Sequence, residues 1–132
     1  MLGLRQWWTI MKIVDANIIL RYLLNDHDEL SAKATTIIED NDVLLPNEVV
    51  AEVVYVLEKV YNVKNDEICD TLLDLFKCGN VTVDDIEVLE EALLLFSRRR
   101  LDFVDTLLYA YHKVNGHQVF TFDKKLNKLL EE

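Results

Sequence analysis

Four acidic residues, each beside a hydrophobic segment, carry the chemistry of this chain: Asp15, Glu52, Asp105 and Asp123. Asp15 closes one apolar run and Asp123 another. Asp105 opens a helical pattern, and Glu52 lies inside one. Carboxylates at strand ends and helix starts of an α/β protein can converge at one edge of the sheet, where such folds bind ligands. Like charges gathered in that way need cations to stay ionised, which points to a hard divalent metal. Metal-assisted phosphodiester hydrolysis uses such a set to hold the ion, activate water and offset charge on the phosphorus oxygens. The chain has no Gly-rich phosphate loop, no Gly-x-Ser-x-Gly turn and no His-Glu-x-x-His helix to offer competing chemistry.

Each acid also has an ordinary explanation. Asp15 and Asp123 can cap the helices that follow them, and Asp105 sits in a first helical turn, where free N–H groups and the helix dipole favour anions. Glu52 differs, because it falls well past the start of its helix, beside Val49, Val53 and Val56 at the edge of the apolar stripe. Glu48 is four residues away on the same helix face and is explained by the dipole. The sequence does not separate the two sharply.

The elements that must position these acids are short. Apolar runs at 11–14, 43–45, 81–83 and 118–120 read as strands. Helical spacing covers 16–25, 28–39, about 46–61, a segment capped by Asn65 or Asp66 that leads to Gly79, one capped by Asp84 that runs through Leu89, Ala92, Leu93 and Phe96, then 104–114 and 123–130. Val49, Val53, Val56, Leu57 and Val60 form the expected core face of the helix after Pro46, and 97–102 reads as a loop. Short apolar strands alternating with helices predict a parallel sheet covered on both faces.

A chain of 132 residues allows one domain with a real core and no second ordinary one. The net charge of −10 argues against a protein that coats DNA, though a nuclease would consume several acids on metal. Cys69 and Cys78 are nine residues apart on one expected helix, roughly 13 Å of rise, too far for a disulfide. They read as buried thiols of a cytoplasmic protein. No apolar run reaches the length of a membrane span. Residues 1–10 lack a processing site, and Met11 directly precedes the first strand. The expectation is an extension at 1–10 ahead of a natural start at Met11, followed by one domain over 11–132.

Four motifs in order then resemble the PIN-domain nucleases, above all the VapC-type toxins of type II toxin–antitoxin pairs. Val14-Asp15-Ala16-Asn17 and the helix after it are similar to the family's opening. Pro46-Asn47-Glu48-Val49-Val50-Ala51-Glu52 resembles its second motif and favours Glu52 over Glu48. Asp102-Phe103-Val104-Asp105 resembles the third motif, and Thr121-Phe122-Asp123-Lys124 the fourth. The resemblance implies a three-layer α/β/α domain with a central parallel sheet of four or five short strands. It also implies a Mg²⁺- or Mn²⁺-dependent ribonuclease whose metal-binding and catalytic set is Asp15, Glu52, Asp105 and Asp123, with Asp102 as a further ligand. Asn17 and Thr121 would orient carboxylates or water around that set. A small antitoxin and a homodimeric state are the implied partners.

Positive charge is concentrated at Arg98, Arg99 and Arg100, leading into the third motif, and at Lys124, Lys125 and Lys128 beside the fourth. A solvated helix end and an RNA-guiding patch both account for the arginines, and the same two readings apply to Lys124, Lys125 and Lys128. His112 and His117 lack metal-ligand spacing and take no catalytic role. Leu20, Tyr22, Leu24, Val54, Tyr55 and Tyr61 exceed what one core face requires, and a groove for an amphipathic antitoxin segment would use part of them. The competing readings are a housekeeping RNA-processing nuclease, a catalytically silent scaffold for binding, and a receiver-like signalling domain with Asp84 as phosphoacceptor.

Overall fold

The structure is a computed structural model, and it describes residues 11–132. The expected extension at 1–10 lies outside the described residues. Three strands, β1 (Lys12–Ile13), β2 (Val43–Leu45) and β3 (Val81–Val83), form a parallel sheet in the order β1-β2-β3. Lys12 stands opposite Val43, and Val43 opposite Val81. Parallel neighbours require long crossovers. Helices α1 (Ala16–Leu24) and α2 (Asp28–Glu39) join β1 to β2, while α3 (Asn47–Lys59) and α4 (Asn65–Phe76) join β2 to β3. After the sheet come α5 (Ile86–Arg98), α6 (Phe103–Asn115) and α7 (Lys124–Leu130), completing a three-layer α/β/α domain. No helix among the described residues is long and apolar enough to cross a membrane.

Local chemistry sets the helix ends. Asp15 caps α1, with its Oδ1 accepting from the Ile18 N–H at 3.1 Å, and Asn25 ends that helix in the left-handed region at φ 48°. Asp85, not the expected Asp84, caps α5 by accepting from the Val88 N–H at 3.3 Å. The capping residue must directly precede the first helical residue, here Ile86, with an extended backbone. Asp84 is left to accept from the Asn47 N–H at 3.0 Å, which ties the end of β3 to the start of α3. Lys64 holds the capping position of α4 without a side-chain bond, so neither Asn65 nor Asp66 caps it, and the helix stops at Phe76, before Gly79.

On α3 the buried positions are Val50, Val53, Val54 and Leu57, a complete i, i+3, i+4, i+7 set. The core face is therefore turned by about one residue from the expected one. Val49 and Val56 are half-buried, and Val60, past the helix end, is exposed. Of the apolar surplus, Leu20 and Val54 belong to the core, Tyr22 and Leu24 pack against it, and Tyr55 and Tyr61 face solvent. Cys69 is buried in α4, and Cys78 is half-buried beyond its end; both are free thiols.

The main core joins the sheet to α1–α6, with Ile19, Ile38, Val43, Leu45, Ile68, Leu89, Leu93 and Phe96 almost fully enclosed. A smaller cluster of Leu95, Leu126 and Leu129 holds α7 in place. The rings of Phe96 and Phe103 meet edge to face at 5.9 Å across the loop between α5 and α6, an arrangement that adds about 0.5–1.5 kcal/mol to area burial.

The sheet has three strands among the described residues rather than four or five. Residues 118–120, expected as a strand, lie in an irregular segment between α6 and α7 and pair with nothing. Phe120 is 86% exposed and Phe122 fully so. Contacts at its ends hold that segment in place. Gly116 closes α6 at φ 72°, and Asp123 caps α7. Truncating Phe96 to Ala should cost about 3–5 kcal/mol. Phe120→Ala, at an exposed position, should stay within about 0.5 kcal/mol of wild type. Urea unfolding followed by circular dichroism measures both.

Candidate active site

The α5–α6 hairpin brings most of the candidate chemistry to one place. Its short connection, residues 99–102, carries two arginines and then Asp102, which precedes α6 in an extended conformation and makes no side-chain cap bond. Asp105 follows in the first turn of α6, half-buried. Asp123 reaches the same region from α7, whose start it caps by accepting from the Leu126 N–H at 2.8 Å through Oδ1. The capping and functional readings of Asp123 are therefore compatible, since Oδ2 has no hydrogen-bond partner among the described residues. Thr121 Oγ1 accepts from the Asp123 N–H at 3.0 Å, so this hydroxyl does fix the backbone that presents Asp123.

Asp102, Asp105 and Asp123 line a cleft of about 480 Å³. Glu58 and Lys59, from the last turn of α3, and Asn65, at the start of α4, form another wall. Arg100, Leu101 and Lys125 complete it. Asp105 titrates above the usual carboxylate range, first because burial strips its hydration and then because Asp123 and Asp102 repel its negative charge. Arg100, Lys59 and Lys125 supply the positive charge that an anionic ligand would meet.

Asp15 is not part of this cleft. It borders a separate hollow of about 690 Å³ along β1, with Ile13, Ile18, Ile37 and Val49. Val49 is in the first turn of α3 and Lys59 in its last, so the two hollows sit at opposite ends of that helix, roughly 15 Å apart along its axis. The cause is the direction of α6. Tyr111 Oη accepts from Asn47 Nδ2 at 2.5 Å, and Asn115 Nδ2 donates to Asp85 Oδ2 at 3.4 Å. These contacts hold the C-terminal end of α6 beside the ends of β2 and β3, which sends its N-terminal end, with Asp105, to the far end of α3. Glu52 lies between the hollows, exposed, and lines neither; Asn17 is exposed on α1.

Carboxylate oxygens are the donors a hard cation takes. Among the described residues, however, no three His, Cys, Asp or Glu side chains stand close enough to hold one ion. As placed here, the acids do not fit a metal. The three arginines have separate environments. Arg98 Nε donates to the Leu94 carbonyl at 3.2 Å, Arg99 forms a two-pronged ion pair with Glu132 at 3.0 and 3.3 Å, and Arg100 enters the cleft. Lys125 rather than Lys124 faces the cleft. His112 Nδ1 lies 2.9 Å from the His117 carbonyl, a contact that closes the end of α6 and leaves neither ring near the acids. Glu58 and Lys59 were not singled out by sequence, and Asn65 was named only as a candidate helix cap. The one available signal was that Glu58 falls three turns after Asn47 on the same face of α3.

Because folding raises the affinity of Asp105 for a proton, its ionised form opposes the folded state, and the penalty is present above its folded pKa and fades as pH falls through it. Asp105→Asn should therefore raise Tm at neutral pH. The gain should vanish as the pH approaches the ordinary carboxylate value of 3.8, when followed by thermal melts across pH.

Comparison with known proteins matches residues 12–131 to the PIN domain. A VapC ribonuclease of Aquifex aeolicus (strain VF5) is 26% identical over 130 residues, covering 90% of this chain and 92% of that protein. No solved structure matched. With nearly the whole described chain inside the match, this protein belongs to the PIN domain family.

Proposed function

We propose that the chain is a ribonuclease that hydrolyses RNA phosphodiester bonds, and that it is the toxin of a type II toxin–antitoxin pair acting in the cytoplasm. The observation that carries the reading is the cleft in which Asp102, Asp105 and Asp123 face Arg100, Lys59 and Lys125. Similarity over nine-tenths of the chain to a VapC ribonuclease supports it. Phosphodiester hydrolysis adds water across a P–O bond while negative charge grows on the phosphoryl oxygens. In this cleft the cations would seat the phosphate against that charge, and the carboxylates would orient the attacking water beside it. Asp105 and Asp123 are the residues proposed as catalytic here. Asp15 and Glu52 are proposed to complete the set on the strength of their motifs. Dependence on Mg²⁺ or Mn²⁺ is proposed from membership of the PIN domain family and against the spacing of the acids, and a small antitoxin partner and a homodimer belong to the same proposal.

A second reading, a PIN scaffold that binds RNA without cutting it, draws on the distance that keeps Asp15 and Glu52 out of the cleft. One experiment separates the two. Purified protein is incubated with a mixed single-stranded RNA pool in Mg²⁺, Mn²⁺ or EDTA, beside Asp105→Asn, Asp123→Asn and Asp15→Asn. Loss of a group that merely supports a reactive site costs roughly 10–100-fold, so the direct acids should cost about 100-fold or more. Cutting that survives Asp105→Asn would remove the proposed site, and binding without cutting in every condition would leave the scaffold.

A further inference from the structure

A second hollow, of about 280 Å³, continues from the acidic cleft and shares Arg100, Leu101 and Lys125 with it. Its other walls are Arg99, Lys128, Leu129 and Glu132. Lys125 and Lys128 are three residues apart on α7 and therefore project on one side of that helix. Arg99 and Arg100 come from the α5–α6 connection opposite. The floor is the pair Leu101 and Leu129, which belong to the small apolar cluster under α7. This protein carries 14 basic residues against 24 acidic ones, yet four of the 14 gather in this groove around one acid. Glu132 offsets Arg99 alone, through its two-pronged pair. Arg100, Lys125 and Lys128 have no ion-pair partner among the described residues. Clustering like charges in this way opposes folding unless an anion is there to meet them.

The geometry points to this groove as a lane for the sugar–phosphate backbone of single-stranded RNA leaving the cleft, with Lys128 and Arg100 on phosphates and Glu132 as a brake that holds Arg99 away from the strand. The inference rests on the ribonuclease reading for its substrate, and on continuity and charge for its path. The lane keeps Arg99, Arg100, Lys125 and Lys128 of the basic residues expected by sequence and drops the other two. Arg98 lines neither hollow, since its Nε is occupied at the end of α5, and Lys124 also lines neither. Charge alone would also attract an acidic peptide, so a polyglutamate competitor separates that occupant from RNA.

Binding to a labelled single-stranded RNA is measured by fluorescence anisotropy from low to moderate salt, with Asp105→Asn present in every protein to prevent cutting. Each phosphate contact to a single strand contributes roughly 0.7 to the slope of log K against log salt. Lys128→Ala should flatten that slope by about 0.7, and Lys128→Ala with Arg100→Ala by about 1.4. Glu132→Gln, which frees Arg99, should steepen it by about 0.7. Lys33→Ala, an equal change of charge on α2 in a surface pair with Glu29, should leave the slope unchanged. Lys128 is exposed, so its variant folds, and a matching melt verifies this. Unaltered slopes in the lane variants overturn the lane, as does an equal response in Lys33→Ala or equal competition by polyglutamate. If the wild type cuts RNA while the slopes stay fixed, the lane fails and the ribonuclease stands. If the slopes move and the wild type, with Asp105 intact, does not cut, the lane stands and the ribonuclease fails.

Discussion

The edge-to-face packing of Phe96 on Phe103 is the contact around which the functional end of the molecule is organised. Both rings are buried, one in the last full turn of α5 and one at the first position of α6. Between them the chain has room only for residues 99–102, so the loop cannot wander. Its arginines, Leu101 and Asp102 are consequently presented in fixed order on one surface. Leu101 joins Leu95, Leu126 and Leu129 and so draws α7, with Asp123 at its head, to the same surface. An aromatic contact in the core thus sets the spacing between positive and negative side chains outside it.

Electrostatics at this surface oppose one another by design of the sequence. An overall charge of −10 repels a polyanion at long range, and ordinary salt screens that repulsion over about 8–10 Å. Inside that distance the local order matters more: Asp102, Asp105 and Asp123 on one side, Arg100 and Lys125 between, Lys128 beyond. A binding site of this kind discriminates by position rather than by net attraction.

Much of the architecture was legible in the sequence because it is local. The runs at 43–45 and 81–83 are β-branched and leucine segments bounded by turn residues, and they form the strands expected of them. Asp15 and Asp123 cap the helices they precede. The misplaced features were either one-residue ambiguities or nonlocal. Asp84 and Asp85 are chemically the same, and only the first helical residue tells which caps. The stripe on α3 contains so many valines that two faces fit. The relation of Asp15 to Asp105 depends on how α6 lies across the fold, which a hydrogen bond between Asn47 and Tyr111, 64 residues apart, helps decide. No periodicity or spacing encodes that contact. The segment at 118–120 has the composition of a strand but joins no sheet among the described residues.

The shortness of β1 has a consequence for how the protein behaves in a crowded solution. β1 leaves one side unpaired among the described residues, and Ile13 there is 65% exposed. An unpaired, apolar strand ordinarily recruits foreign chains and seeds fibres. Here the strand is two residues long and one of them is Lys12, so a visiting chain would find few amide groups to satisfy and a charge beside them. Among the described residues this edge is open but makes a poor template, and brevity limits it where many proteins rely on a covering helix.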